Sequence, residues 1–211
     1  MTHQLIQSAA AAWHNIDRPT PSPKEMSMPG YKSLFCASRW RAFAAGCAAA
    51  FIAFAPAAPG DPANFVQWRP GLASSAQPNA DYLKRAKALG YDVVINLAPP
   101  EYKEAVPTEG GILGEQGVTY LNIPVDFGNP TAEDFRVFSA MLKTVEKKNV
   151  LVHCQVNLRG SSFTFLYRVI HEATPADDAR GKLNSVWVPN PTWTKFIESV
   201  LAANGKKGEI F

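Results

Sequence analysis

Val150-Leu151-Val152-His153-Cys154-Gln155-Val156-Asn157-Leu158-Arg159-Gly160-Ser161 is the stretch on which the reading of this chain turns. Residues 150–153 have the apolar, β-branched character of a short buried strand. Cys154 sits at the carboxyl end of that strand, and a tight loop leads from it into a helix expected over 161–173. Ligands of a parallel α/β sheet bind beyond the carboxyl ends of its strands. A helix N-terminus there offers unpaired N–H groups and partial positive charge, an anion site. A thiol at such a place ionises more readily, and the thiolate is the nucleophilic form. A guanidinium such as that of Arg159 can grip two oxygens of a tetrahedral anion at once. One strand–loop–helix unit thus brings together nucleophile, anion cradle and charge clamp. A lone Cys after an apolar strand is ordinarily a small core residue; the immediate Arg159 and helix start set Cys154 apart.

Working outward, 65–68 reads as a strand. Asn79 can cap a helix over 80–89 that Gly90 stops. Residues 91–97 form a mostly apolar strand, 99–117 a loop-rich segment with one short helix, and 118–123 another strand. Thr131, followed by Glu133 and Asp134, opens a helix reaching about Lys148, with acidic groups in its positive first turn. Two more helices are expected over 177–186 and 192–203. Strands alternating with helices predict an α/β fold: a four- to five-stranded, mainly parallel sheet with helices on both faces, over about 62–205.

Val-His-Cys followed by Arg at a strand-to-helix turn resembles the signature of the cysteine-dependent tyrosine and dual-specificity phosphatase superfamily. The likeness extends over roughly 65–200, through Ala76-Gln77-Pro78, Val93-Val94-Ile95-Asn96-Leu97, Ile123-Pro124-Val125-Asp126 and the Thr131 helix, in the order seen in small bacterial members. The resemblance implies a small dual-specificity-phosphatase-like fold and a hydrolase without cofactor, acting through a phosphocysteine on a phosphorylated protein or small molecule. It implies Cys154 as nucleophile, Arg159 as anion clamp and Asp126 as general acid, with Asp134 in reserve although helix capping already accounts for it. Gln155, Val156, Asn157, Leu158 and Gly160 would make the substrate cradle. Most of the superfamily has five residues between Cys and Arg; here there are four, as in the bacterial branch called beta-lactamase-hydrolase-like phosphatases. That branch has Gly where this chain has Asn157, and Asn tolerates positive φ better than other non-glycine residues. Gly160 stands where Ser or Thr usually follows the Arg, which leaves Ser161 as the strong candidate for a hydroxyl that assists the thiolate as leaving group.

Other readings remain open. A rhodanese-like sulfurtransferase also places Cys at a strand-to-helix turn with a short loop, but has no need of Asp126. A non-catalytic binding domain on the same fold would explain Asn157 and Gly160. Asp126 could equally open the turn before Gly128-Asn129-Pro130. His153 could tune the thiol or be a satisfied core residue. Ser162 reads as a helix starter and His171 as structural. Trp187, Trp193 and Phe196, near helical spacing, read as core.

Composition is ordinary for a globular protein, with 46% hydrophobic residues. The net charge of +3 is unevenly placed: residues 1–60 hold five of the 21 basic and two of the 18 acidic residues, leaving 16 of each. The remainder therefore has no electrostatic bias toward nucleic acid. Lys32, Arg39 and Arg41 precede an uncharged apolar run of 14 residues, 42–55, and Ala55-Pro56-Ala57 follows. A basic region, an apolar run of this length and a small-x-small site describe a secretory signal peptide, and a spanning helix needs about 20 apolar residues. Residues 1–57 are thus expected to be an N-terminal extension with signal peptide, its start open among Met1, Met26 and Met28, and 58–211 the phosphatase-like domain. The product would be periplasmic or secreted, without membrane insertion after cleavage; an uncleaved membrane anchor is the alternative. Removal of the leader takes Cys36 and Cys47 with it and leaves Cys154 as the lone thiol. No Cys/His pair has metal-ligand spacing.

Overall fold

The computed structural model describes residues 60–206. The expected signal peptide, its cleavage site, Cys36 and Cys47 lie outside the described residues. Five strands make one sheet: β1 (Val66–Arg69), β2 (Leu72–Ser75), β3 (Val93–Asn96), β4 (Thr119–Asn122) and β5 (Val150–His153), in the order β1-β2-β5-β3-β4. Only β1 and β2 run antiparallel; β2–β5, β5–β3 and β3–β4 are parallel. The expected sheet is therefore present. Its last strand in sequence is its central one, flanked by the carboxyl ends of β2 and β3.

The two faces of β5 serve two cores, because side chains alternate along a strand. Val150 and Val152 join a large cluster with Phe135 and Phe138 of α3 (Ala132–Thr144), Phe163 and Tyr167 of α4 (Leu158–His171), Leu183 of α5 (Ala176–Asn184), and Trp193 and Ile197 of α6 (Pro191–Ala203). Leu151 joins a smaller cluster with Tyr82 and Leu83 of α1 (Ala80–Leu83) and Leu113 of α2 (Glu109–Gly114). Phe163 packs edge-on against Phe135 and Phe138. Burying such a side chain stabilises the fold by about 1.5–3 kcal/mol.

One strand is added to the expected elements and two expectations are corrected. The segment 72–75 is a strand, paired to β1 across a turn at Gly71, whose φ is +78°. The helix after Asn79 ends at Leu83, because Arg85, Ala86 and Gly90 donate three residues back, to Tyr82, Leu83 and Lys87, in a mixed run of turns. α4 begins at Leu158, three residues before the expected start. The α3 N-terminus follows expectation: Thr131 and Asp134 form a reciprocal capping box. Among the described residues no helix is long and apolar enough to cross a membrane.

Candidate active site

The loops that follow β2, β3, β4 and β5 converge at one edge of the sheet. Cys154 N–H donates to Ser75 O at 3.4 Å, Gln77 N–H to Gln155 O at 3.1 Å, Leu97 N–H to His153 O at 2.8 Å and Val125 N–H to Leu97 O at 3.1 Å. Alternation places Cys154 on the large-core face, with no exposed surface, and His153 on the opposite face. Asn157 precedes α4 in left-handed conformation, φ 71° and ψ 7°, as the tight loop was expected to require. Asn is a capping residue type, yet this one makes no side-chain cap. The first-turn N–H groups of α4 thus receive no cap from the Asn157 side chain.

The earlier start of α4 puts Arg159 and Gly160 in that first turn. Arg159 is buried; its Nε donates to Val125 O at 2.8 Å and one terminal nitrogen to Gln155 Oε1 at 3.4 Å. Its guanidinium carbon lies 5.3 Å from the Phe127 ring centroid, within cation–π range. Trp193 Nε1 donates to Phe127 O at 2.9 Å. Arg159 and Trp193 therefore hold the loop of Asp126 from either side. Asp126 itself is exposed and accepts from Gly128 N–H at 2.8 Å, so the turn-opening role is also filled. Asp134 is committed to the capping box. Ser161 is fully buried and its Oγ donates to Leu158 O at 3.3 Å, within its own helix. Val156 is half exposed and its carbonyl accepts from Asn64, while Leu158 is partly buried.

Glu109, Tyr102 and Tyr120, which sequence reasoning passed over, lie with His153 beside the site. His153 Nε2 lies 2.9 Å from Glu109 Oε1, and both groups are buried. Glu109 also accepts from Asn96 at 3.3 Å. Tyr102 donates to Gln77. Burial holds the Tyr102 hydroxyl well above its ordinary pKa, reinforced by its electrostatic interaction with Glu109 and then with Cys154. Burial likewise raises Tyr120, which accepts from Asn96. The sequence signals were a carboxylate opening a glycine-rich helix and polar residues in all-buried strands. Of the aromatic trio, Trp193 and Phe196 are core, and Trp187 is half-buried against Phe127 and Trp193. His171 packs on Phe135 and Tyr167 at the end of α4. Among the described residues no group of three His, Cys, Asp or Glu could hold a metal ion.

This arrangement, a central-strand cysteine under a four-residue loop with arginine in the first turn of the next helix, defines a protein with the architecture of the cysteine-based tyrosine and dual-specificity phosphatases. No protein-family model and no curated protein matches the sequence. Solved structures do. Two crystal structures of a candidate phosphatase of the DUF442 type from Shewanella putrefaciens CN-32 are 36% identical, with TM-scores of 0.61 and 0.62; the match covers 67% of this chain and 90% and 93% of theirs. The chain belongs to that DUF442 family of phosphatase-like proteins. Pseudomonas aeruginosa TpbA is similar in fold, at 17% identity and TM-score 0.55 over 71% of this chain and 94% of its own. So is the catalytic domain of the Saccharomyces cerevisiae PP-IP phosphatase SIW14, at 16% and 0.53 over 68% and 94%.

Proposed function

We propose that this protein is a cysteine-dependent phosphomonoesterase. The Cys154 thiolate attacks phosphorus; the bond from phosphorus to the leaving oxygen breaks, its electron pair staying on that oxygen, which takes a proton from Asp126. Water then attacks phosphorus, giving a proton to the Asp126 carboxylate, while the phosphorus–sulfur bond breaks with its electron pair on sulfur, releasing phosphate and restoring both thiolate and acid. The observation that carries this reading is the uncapped N-terminus of α4 beside a buried Arg159, itself clipped to the loop of Asp126. Loop dipoles and guanidinium are then aimed where negative charge develops. Phosphotyrosine is the substrate class we favour: a variant of the similarly folded TpbA has been crystallised in complex with pTyr. The spacing of Cys154 and Arg159 further supports the beta-lactamase-hydrolase-like branch. The basic, apolar and small-residue succession over 32–57 supports export with cleavage near Ala57; mass spectrometry of the secreted form should find that new N-terminus.

The test is phosphate release from p-nitrophenyl phosphate by the wild type and by Cys154→Ser, beside thiocyanate formation from thiosulfate and cyanide. Phosphate release that disappears with the thiol supports the proposal, and thiocyanate formation alone replaces it with sulfur transfer. A non-catalytic anion-binding role draws support from Gly160, which carries no hydroxyl, and from the full burial of Cys154. It predicts vanadate binding with neither activity.

A further inference from the structure

Asn157 is fully buried and its side chain leaves the loop altogether. Its Nδ2 donates to Asn64 O at 2.6 Å and to Ser74 Oγ at 3.0 Å, and Ser74 Oγ also accepts from Trp68 Nε1 at 2.8 Å. Asn64 answers by donating from its own Nδ2 to Val156 O at 2.9 Å. The loop apex is thereby strapped to the β1–β2 hairpin. The amide cannot be turned over, because Asn64 O is an acceptor only and would then face Oδ1. In this orientation Asn157 Oδ1 is buried without a partner. It points at Gly160, where a Cβ would come within 2.6 Å of it. Ordinarily a terminal side-chain atom yields to such an approach; this one is pinned by two hydrogen bonds from its own amide.

We propose that Asn157 is the positioning residue of the Cys154–Arg159 loop and that Gly160 is its obligate partner, glycine because the Asn157 carbonyl occupies the space of a side chain. The two departures from the familiar motif are then one exchange: the loop takes an amide strap and gives up the hydroxyl after the arginine. This inference rests on the phosphate-binding reading of the loop. It also separates strap from backbone conformation, since glycine at 157 would keep the left-handed φ at no steric cost while losing both bonds.

The experiment is a double-mutant cycle on the full chain with Asn157→Gly, Gly160→Ala and the pair together. Vanadate affinity is read by calorimetry at low temperature, where circular dichroism confirms folding, and Tm is read by scanning calorimetry. Gly160→Ala should weaken vanadate by about tenfold, the size expected of coupled neighbours, and lower Tm. Asn157→Gly should also weaken vanadate severalfold. Alanine at 160 should cost nothing further once Asn157 is glycine, so the double variant should match Asn157→Gly. If Gly160→Ala alone does not fold, recovery of folding in the double variant gives the same answer. Additive losses, an unfolded double variant beside a folded Asn157→Gly, or wild-type vanadate affinity in Asn157→Gly overturns the proposal. A wild type that binds no vanadate overturns it together with the phosphatase reading. Coupling in a wild type that binds vanadate without releasing phosphate leaves the strap standing and removes only the reading.

Discussion

Replacing Arg159 by lysine separates its two tasks. In the folded protein Nε donates to Val125 O at 2.8 Å from a buried position, which leaves for an anion one terminal nitrogen and the other, whose 3.4 Å bond to Gln155 Oε1 an anion would displace. Lysine keeps the charge but cannot hold that carbonyl and two coplanar oxygens at once. Losing a hydrogen bond from a charged donor costs about 1.5–3 kcal/mol. The absent second phosphate contact adds a loss of like size in the transition state. Stability should register only the first loss, a fall in Tm of about 3–12 °C at roughly 2–4 °C per kcal/mol. Turnover should register both: kcat/KM for p-nitrophenyl phosphate should drop by about 10²–10⁴, at 1.36 kcal/mol per tenfold. Steady-state kinetics beside scanning calorimetry give the two numbers. A variant with lowered Tm but kcat/KM within about threefold of wild type would make Arg159 a structural clip for the Val125–Phe127 segment and end its role as anion clamp.

Asp126→Asn should cut turnover of phosphotyrosine by ~10²–10⁴, the usual worth of a general acid, and affect p-nitrophenyl phosphate much less; equal, negligible effects would remove Asp126 from the mechanism. Trp193→Phe deletes the donor to Phe127 O and should reduce kcat by about two- to tenfold with KM little changed; a KM effect alone would argue that the indole shapes binding instead. Phe163→Ala should destabilise by about 3–5 kcal/mol, seen as a lower urea midpoint; a loss below about 1 kcal/mol would contradict its central packing. His171 is exposed at the end of α4, yet partial desolvation against Phe135 and Tyr167, and then Lys143, lower its pKa. The unfolded chain therefore takes up a proton below pH ~6.5 more readily than the folded one, and stability from this group falls as pH drops through that region. His171→Asn should narrow the Tm difference between pH 7.5 and 5.5; an unchanged difference would refute the assignment.

The alternation of strands and helices was readable because parallel strands buried on both faces appear as short apolar runs, as 93–96 and 150–153 do. β2 was not: Leu72-Ala73-Ser74-Ser75 is half polar, and its serines are accommodated by side-chain bonds that only the fold supplies, Ser74 by Trp68 across the hairpin and by the distant Asn157, while Ser75 donates to the neighbouring Ala76 O. The premature end of α1 and the early start of α4 arise from local hydrogen-bond choices that hydrophobic period does not encode. At the site, Cys154 and Arg159 were legible through their spacing, and the left-handed Asn157 through residue chemistry. Asn64, Glu109 and Tyr102 were not, since each acts across tens of residues that only the folded sheet edge brings together. Gly160 looked like a defect in the motif until the Asn157 side chain was seen in its place.

The strap at Asn64 also bears on where a shortened form of this protein can begin. A version starting at Phe65 would keep all five strands and every helix of the described domain, and by secondary-structure content would pass as intact. It would nonetheless lose both Asn64 contacts to the loop, the Ala76-to-Ala63 backbone bond at 2.9 Å and the Asp61 partner of Tyr82. Four residues of unremarkable coil, Asp61–Asn64, thus mark the difference between a domain that is merely folded and one whose loop keeps its shape, and trimming for crystallisation or expression should stop on their outer side.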